Sequence, residues 1–461
     1  MEKTTKITLF VALLCGLMFK NGQAQQPFPK EKLQQVLADL QQSYKIPNLS
    51  VGITYKDSSI VYNYVLGEKG TANDVFLIGS NTKSFTALSI LQLADTGFVD
   101  IDAPVKKYLP WFSFKNETAG KPITVRHLLN QTSGLPQSGG FFDVLTSDIA
   151  VFELGLNVHI QTLTPTNAVN AHFQYSNLNY TLLGLIVQKV SGMPYKDYVQ
   201  THIFKPLGMN HSFADYKSAV ANGLITGHQY AFMTTFAKKT PEYSDFIVPQ
   251  GYIASTASDM LLYLKAALKN DVHLKDTSYH DWITPYKDGY AMGWGETQYF
   301  SQPIVQHLGL NETFNAALFF MPKQDYGVVV LANTSSNEFN AVAKEAIILT
   351  LLDKSYVPKP NMENMQRLAT LGFVALTFFG FLAHLFIWGT ARFQLQRPTI
   401  WRSIVSVIGI SLSVLPLVFI TKMNGIGILD MAKYSPDYAY GFIAIAVMGV
   451  LWSLMALFRK R

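Results

Sequence analysis

Three apolar runs near the C-terminus constrain the fold of this chain more than any other feature. They extend roughly over Leu368 to Gly389, Ile404 to Ile420 and Ala439 to Phe458. Each run approaches the ~20 residues that a helix needs to cross a bilayer. The sequence therefore predicts a membrane domain over 367–461 with three transmembrane helices, and a proline-containing linker over 356–366 precedes it.

Basic residues near these runs predict their orientation. The loop between the first two runs contains Arg392, Arg397 and Arg402 and no acidic residue, and the chain ends in Arg-Lys-Arg. Loops rich in arginine and lysine stay on the cytoplasmic side. The large region before the first run is therefore expected on the extracytoplasmic side of the cell (inner or plasma) membrane, in a multi-pass protein held in lipid.

The N-terminus independently predicts export. A basic start is followed by an apolar run from Ile7 to Phe19 and by small residues up to Ala24, the pattern of a cleavable signal peptide over 1–24. Cys15, the only cysteine of the chain, falls inside this segment. The mature chain would have no thiol, which excludes disulfides, thiolate metal sites and a cysteine nucleophile.

The net charge of +6 does not indicate nucleic-acid binding. From Lys359 onward the chain has ten basic and three acidic residues, so the preceding region is close to neutral. A nucleic-acid-binding protein would present a basic patch in its folded domain. Nucleic acid is therefore not an expected partner.

Periodic patterns predict one sheet built from both ends of the exported region, an α/β (α+β) fold class. A helix over Pro29 to Tyr44 leads into two strands, and two further strands precede a helix over Glu338 to Leu352. Helical patterns dominate the middle. The predicted domain covers 25–355, with a sheet region at about 30–78 and 245–355 and a helical region at about 79–244. The four strands are Leu49 to Tyr55, Ile60 to Val65, Ala316 to Met321 and Tyr326 to Ala332.

A Ser-x-x-Lys pair, found once in the chain, is the first candidate for chemistry. A helical pattern begins after Gly79, so Ser80 is expected in the first turn of a helix and Lys83 one turn further on the same face. An amine at that distance can take or polarise the serine proton, and free N–H groups of the first turn can stabilise an anion. Such pairs also arise by chance.

Two further motifs could supply partners for Ser80. Tyr175-Ser176-Asn177 is the only Tyr-x-Asn, and it precedes an apolar helix predicted over Asn179 to Val190. Its tyrosine could deliver a phenol or phenolate oxygen to Ser80 if a cation such as Lys83 depresses its pKa. Its asparagine has both donor and acceptor groups for Lys83 and a substrate amide. In His307-Leu308-Gly309, expected just before the late strands, glycine allows close approach of the backbone to a ligand.

The order Ser-x-x-Lys, Tyr-x-Asn, His-x-Gly resembles that of the class C β-lactamase and low-molecular-weight penicillin-binding protein family of serine hydrolases. The resemblance extends over about Lys30 to Leu352. Four further stretches are typical of that family: Gly79 to Thr86, Ile123 to Leu129, Thr132 to Pro136 and Pro206 to Met209.

The resemblance implies a β-lactamase/transpeptidase-like fold, an antiparallel sheet flanked by helices plus an all-helical region, with the site in the cleft between them. By this likeness Ser80 is the acylated nucleophile, and Lys83 and Tyr175 share acid/base catalysis. Which of the two is the acylation base stays open. The remaining implied roles belong to substrate binding. Asn177 orients the substrate, and His307 occupies the place often held by lysine. The N–H groups of Ser80 and of Leu310, the residue after Gly309, form the oxyanion hole.

Two departures from the family pattern bear on the substrate. A hydroxyl residue often follows the cation of the third motif and helps to bind a substrate carboxylate, but here the residue is Leu308. His307 is at most partly charged near neutral pH. We therefore expect an acyl-enzyme hydrolase for small-molecule or peptide esters, amides or D-peptides, with cell-wall fragments among the candidates and weak or no β-lactamase activity.

Other readings have less support. A sensor or binding module that is acylated slowly or not at all is the main alternative, because a membrane segment is fused to the domain. A metallohydrolase is disfavoured, because the histidines lack metal-ligand spacing, and no Gly-x-Ser-x-Gly elbow occurs. No metal or cofactor is expected, and the oligomeric state stays open. His384, inside the first run, is interpreted as a packing residue.

Overall fold

A computed structural model describes residues 28–55, 58–65, 71, 73–116, 118, 122–390, 400–424 and 427–458. The predicted signal peptide over 1–24, Arg392 and Arg397 of the basic loop, and the C-terminal Arg-Lys-Arg lie outside the described residues.

The described chain alternates between helices and strands, which are numbered here in chain order. The helices are α1 (Lys30–Ser43), α2 (Thr82–Asp95), α3 (Val125–Leu129), α4 (Ile149–Thr162), α5 (Asn177–Ser191), α6 (Tyr195–Val199), α7 (Tyr216–Ala221), α8 (Val248–Gly251), α9 (Ala257–Lys269), α10 (Asp276–Ile283), α11 (Phe339–Leu351), α12 (Met362–Thr390), α13 (Ile400–Asn424), α14 (Ile428–Tyr434) and α15 (Pro436–Phe458). The strands are β1 (Asn48–Tyr55), β2 (Ser58–Val65), β3 (Phe76–Leu77), β4 (Gly227–Ala231), β5 (Thr234–Lys238), β6 (Ala254–Ser255), β7 (Gly295–Tyr299), β8 (Gln302–Leu310), β9 (Asn315–Met321), β10 (Tyr326–Ala332) and β11 (Thr334–Ser335).

The main sheet unites the two ends of the domain. Its order is β2-β1-β10-β9-β8-β7, and every neighbouring pair is antiparallel. Strand β9 is buried along its whole length, because alternate side chains enter two separate cores. Phe319 packs with α1 and α11 on one face, whereas Leu318 packs with α9 and the helical region on the other. The predicted antiparallel sheet flanked by helices is confirmed.

Two features of the sheets differ from the sequence prediction. His307-Leu308-Gly309 precedes the predicted strands β9 and β10 as expected, but it lies inside a further strand, β8, that the sequence did not predict. Strands β4 and β5 lie in an interval expected to be helical, and they form a second sheet with β11. Phe232 and Met233, which join β4 to β5, both have positive φ. That turn geometry usually selects asparagine or glycine, so the sequence carries no turn signal there.

The Ser80 helix lies at the centre of the domain. The chain leaves β3, makes a 3₁₀ turn over Gly79–Asn81 and continues as α2. Nearly every side chain of α2 is buried, from Thr82 through Leu91. This helix therefore cannot pivot, and Ser80 is presented at its N-terminal end from a rigid support.

Helices α12, α13 and α15 are long and apolar enough to cross a membrane, over Met362–Phe386, Ile400–Phe419 and Pro436–Met455. Large apolar side chains such as Leu376 and Val407 are exposed on them. Helix α15 packs against both of the others. It contacts α13 through small residues, because a Cβ on Gly449 would stand 2.0 Å from Ser413 Oγ. Close approach through small residues is how helices associate in lipid. The three-helix prediction is confirmed at the level of length and composition.

A buried ionic cluster joins two of the long apolar helices, α12 and α15, to the sheet domain. Arg367, 1% exposed, forms ion pairs with Glu363 at 2.5 Å and with Asp437 at the start of α15. Asp437 also accepts a hydrogen bond from the Phe232 backbone N–H at 2.8 Å, and Glu363 accepts one from Ser336 Oγ at 2.5 Å. These residues, called the Arg367 cluster below, fix the starts of α12 and α15 against the domain.

Candidate active site

The turn that carries Ser80 is in direct backbone contact with β8. Gly79 has a φ of +55°, and a Cβ there would stand 2.6 Å from Leu310 N. A Cβ on Gly309 would stand 2.1 Å from Ile78 O. Only glycine permits this approach on both sides. The predicted partners in the oxyanion hole, Ser80 and Leu310, consequently line one cavity.

Lys83 is fully buried beneath Ser80. Its Nζ lies 2.9 Å from Ser80 Oγ, 2.8 Å from Asn177 Oδ1 and 2.5 Å from the Gln250 carbonyl oxygen. Burial lowers the pKa of Lys83 well below its ordinary value, because the charged form loses its hydration. A neutral amine has two N–H groups for the two carbonyl oxygens. Its lone pair then faces the Ser80 hydroxyl.

Tyr175 approaches Ser80 from the other side. Its hydroxyl donates to Ser80 Oγ at 2.7 Å, and Lys83 Nζ lies 4.9 Å from the centre of its ring. Burial, with a smaller contribution from Tyr290, raises the pKa of Tyr175 above its ordinary value. The condition that a nearby cation depresses this pKa is therefore not met, since burial favours the neutral phenol and the neutral amine alike.

The Tyr-x-Asn motif is held by hydrogen bonds at its central residue. The Ser176 N–H donates to Gln131 Oε1 at 2.9 Å, and the Ser176 hydroxyl donates to the Pro136 carbonyl at 2.9 Å. Helix α5 begins at Asn177, two residues earlier than the pattern predicts. The motif thus lies at the junction of a fixed loop and a helix end, which sets the direction of both functional side chains.

His307 lies beside this network rather than in it. It is 7% exposed, its Nδ1–H donates to the Leu308 carbonyl at 2.9 Å, and its Nε2 lies 3.4 Å from the Tyr290 hydroxyl. Burial is the main cause that lowers the pKa of His307 to about 3. The third motif consequently places a neutral imidazole here at physiological pH.

A cavity of about 190 Å³ opens in front of Ser80. Its wall includes Asn177 and Leu310, but neither His307 nor Tyr175 lines it. The charged residues of the wall are mostly acidic. Asp143, Glu242, Glu312 and Lys433 are the charged members, and the neutral ones include Phe142, Thr240, Tyr243, Gln250, Tyr252, Asn311 and Tyr434.

Sequence reasoning missed several contributors to this site. Gln250 contributes a backbone carbonyl, which no residue type signals in advance. Tyr290 approaches His307 from the loop before β7, and Tyr434 comes from α14, between the second and third long apolar helices. Only the tertiary fold brings these residues to the site. Within the described residues, no three His, Cys, Asp or Glu side chains lie close enough together to hold a metal ion.

Curated relatives share sequence with this chain. "Protein flp" of Staphylococcus aureus (strain MW2) is 30% identical over 318 residues, 65% of this chain and 61% of the relative. "Penicillin-binding protein 4*" of Bacillus subtilis (strain 168) is 30% identical over 217 residues, 43% of this chain and 46% of the relative. The chain therefore spans less than two thirds of the length of either relative.

Solved structures share the fold. The octameric penicillin-binding protein homologue from Pyrococcus abyssi aligns with a TM-score of 0.61 and 24% identity, over 70% of this chain and 78% of that one. A class C beta-lactamase aligns with a TM-score of 0.60 and 20% identity, over 72% of this chain and 97% of that one. Residues 33–352 match the family described as Beta-lactamase. The chain therefore belongs to the Beta-lactamase family.

Proposed function

We propose that this protein is a membrane-anchored, exported serine hydrolase that acts through an acyl-enzyme on Ser80. The observation that carries the proposal is the pair of contacts at Ser80 Oγ, 2.9 Å to Lys83 Nζ and 2.7 Å to the Tyr175 hydroxyl. A nucleophile with a proton acceptor and a proton donor at hydrogen-bond distance is prepared for acyl transfer.

The pKa directions and the 2.9 Å contact with Ser80 Oγ favour Lys83 over Tyr175 as the acylation base. Its neutral amine takes the Ser80 proton as Ser80 Oγ bonds to the substrate carbonyl carbon. The resulting oxyanion is stabilised by the N–H groups of Ser80 and Leu310. Tyr175, a phenol, gives its proton to the leaving group as the scissile bond breaks, and regains one from the Lys83 ammonium. Water then attacks the ester by the reverse sequence, which releases the acid and restores Ser80.

Asn177 has a positioning role, and its contact with Lys83 determines which end of its amide faces the substrate. Its Oδ1 accepts from Lys83 Nζ at 2.8 Å, and the residue also lines the cavity. The Nδ2 end of the same amide is therefore the end that donates to a substrate carbonyl. One side chain thus orients both the base and the substrate.

Charge in the cavity favours neutral or cationic substrates. The wall carries Asp143, Glu242 and Glu312 against Lys433. Beside the cavity, His307 is neutral and Leu308 has no hydroxyl group, so the third motif adds no positive charge. Glu312 is partly compensated by Lys238 Nζ at 3.1 Å. A substrate carboxylate would meet more negative than positive charge here. We therefore propose neutral or amine-bearing esters, amides and D-peptides as substrates, with little β-lactam turnover.

Membrane anchoring and export belong to this proposal. Three helices with spanning length and composition support the anchor. The arginine-rich loop between the first two supports a cytoplasmic location for that loop, and so an extracytoplasmic site. The N-terminal signal pattern supports the same sidedness.

Covalent labelling with a serine-directed fluorophosphonate tests the proposal on the full chain. Ser80→Ala is expected to abolish labelling, because it removes the hydroxyl group that lies 2.9 Å from Lys83 Nζ. Ser84→Ala, one turn along the same buried helix and bonded to Asn81 O, is the matched control and should still be labelled. Equal labelling of the Ser80→Ala protein would overturn the assignment.

Measurement of multiple turnover distinguishes the hydrolase hypothesis from the sensor hypothesis. Continued release of p-nitrophenolate from a neutral ester supports the hydrolase. A single stoichiometric burst followed by a long-lived acyl-enzyme would instead support the binding module. Nitrocefin hydrolysis as fast as ester hydrolysis would overturn the proposed substrate preference.

A further inference from the structure

Helix α14 and the residues that follow it lie against the catalytic domain. Gln229 Nε2, on β4, donates to the Lys433 carbonyl at 2.5 Å. Asn337 Nδ2 donates to Ser435 Oγ at 3.2 Å, and the Phe232 N–H donates to Asp437 at 2.8 Å. The segment between the second and third membrane helices is thus hydrogen-bonded to the second sheet and to the turn before α11.

The same segment forms part of the wall around the nucleophile. Lys433 and Tyr434, at the C-terminal end of α14, line the cavity that contains Ser80. Burial, and after it the negative charge of Glu312, raises the pKa of Tyr434, so its phenol stays neutral. Burial also raises the pKa of Tyr252, and the proximity of Tyr434 adds to that shift. Tyr434 therefore lines the substrate cavity together with residues of the catalytic domain.

The position of α14 is fixed by its chain connection to α15 and by the contacts that hold α15 to the domain. Pro436, the first residue of α15, follows Tyr434 by two positions. The Arg367 cluster then holds the start of α15 to the start of α12 and to the domain. The Tyr230 hydroxyl bonds to Asn364 Oδ1 at the same junction. Helix α14 therefore cannot move away from the cavity without breaking the buried ion pairs of Arg367.

We propose that Tyr434 is a specificity-determining residue, and that the membrane region completes the active site by closing one side of the substrate cleft. The proposal rests on the proposed hydrolase function. The Tyr434 ring limits the size of the substrate group that extends from the acylated carbonyl toward α14. Compact acyl donors pass the ring, whereas bulky ones collide with it. The three-helix region thereby selects substrates in addition to holding the domain in the membrane.

The test measures second-order labelling rates of the full chain, in membranes, with a compact isopropyl and a bulky biphenylmethyl fluorophosphonate. Tyr434→Ala is expected to raise the bulky-to-compact rate ratio about tenfold or more, the range that steric contacts in a pocket produce. Tyr434→Phe keeps the ring and should leave the ratio near that of the wild type. Leu429→Ala, on the same helix at a side chain 71% exposed, is the matched control and should not change the ratio.

The outcomes separate this inference from the function on which it rests. If both probes label Ser80 of the wild type and Tyr434→Ala leaves the ratio unchanged, the hydrolase assignment stands and the role of Tyr434 is refuted. If neither probe labels the wild type, the hydrolase assignment fails and this inference with it. An equal rise in the Leu429→Ala protein would show a general loosening of α14 and would also refute the role of the Tyr434 ring.

Discussion

Lys83 and Tyr175 share one buried environment, yet burial moves their pKa values in opposite directions. The shift lowers the pKa of Lys83 and raises that of Tyr175, because desolvation penalises an ammonium and a phenolate alike. Burial therefore favours a neutral base and a neutral acid on either side of Ser80. Proton transfer can begin without first displacing an ion pair.

His307 leads to a prediction for the pH dependence of stability. Its pKa is about 3 in the folded chain and about 6.5 when unfolded. Between these values the unfolded chain binds a proton that the folded chain does not. The free energy of unfolding should thus be highest above pH 6.5 and fall by about 1.4 kcal/mol per pH unit toward pH 3 from this residue alone.

Denaturant unfolding between pH 7 and pH 4 checks this prediction. His307→Gln should show a shallower decline than the wild type, because it removes the group responsible. His280→Gln, at an exposed histidine, controls for the new amide and should keep the wild-type decline. Parallel declines for His307→Gln and the wild type would contradict the prediction.

Much of the residue-level site could be predicted from the sequence. Ser80, Lys83, Tyr175 and Asn177 were identified from motif order, and the structure brings all four into hydrogen-bond contact. The ionisation of Tyr175 could not be predicted, since it depends on burial by distant segments. The same holds for Gln250, which acts through its carbonyl group.

At the level of elements, the contact between the Ser80 turn and β8 governs the shape of the oxyanion hole. Gly309→Ala should push β8 away from the turn, because its Cβ would stand 2.1 Å from the Ile78 carbonyl oxygen. Moving the Leu310 N–H out of line should lower kcat by about 10²-fold or more, the usual effect of losing one oxyanion donor.

Steady-state ester hydrolysis measures this effect. Gly155→Ala is the control, since its Cβ would meet only ordinary contacts at 3.4 Å inside α4. It should leave kcat unchanged. A Gly309→Ala protein with wild-type kcat would mean that β8 contributes no donor at this position.

Element boundaries were predictable where hydrophobic pattern and turn chemistry agree. Strands β1, β9 and β10 and helices α1 and α11 lie within two residues of their predicted bounds. The β4–β5 hairpin was missed because Phe232 and Met233 occupy its turn. Strand β8 was not predicted because its sequence mixes polar and apolar residues without a regular alternation. It is the second strand from one edge of the sheet, and its pairing with β9 depends on the tertiary fold.

For the whole molecule, the orientation of the three spans is the property to test. A cysteine at Lys433→Cys, exposed on α14, should react in intact cells with a membrane-impermeant maleimide. A cysteine at Gln394→Cys, in the arginine-rich loop, should react only after permeabilisation. The predicted removal of Cys15 with the signal peptide leaves no competing thiol. Reversed labelling of the two proteins would overturn the proposed sidedness.

The number and approximate limits of the three long apolar helices could be predicted from the sequence, but their contacts with the domain could not. The contacts of Arg367 join residues 70 positions apart in the chain, and those of Gln229 with Lys433 join residues 204 positions apart. No local pattern encodes such pairings.

The Arg367 cluster also determines how the protein can search for substrate. If α12 and α15 cross the bilayer as proposed, the cluster holds the domain to both spans, and the Ser80 nucleophile stays at one height above the bilayer while the protein diffuses laterally. Collisions then occur in two dimensions within a thin layer next to the membrane. Substrates confined to that layer are encountered repeatedly, whereas those further away must first reach it by their own diffusion.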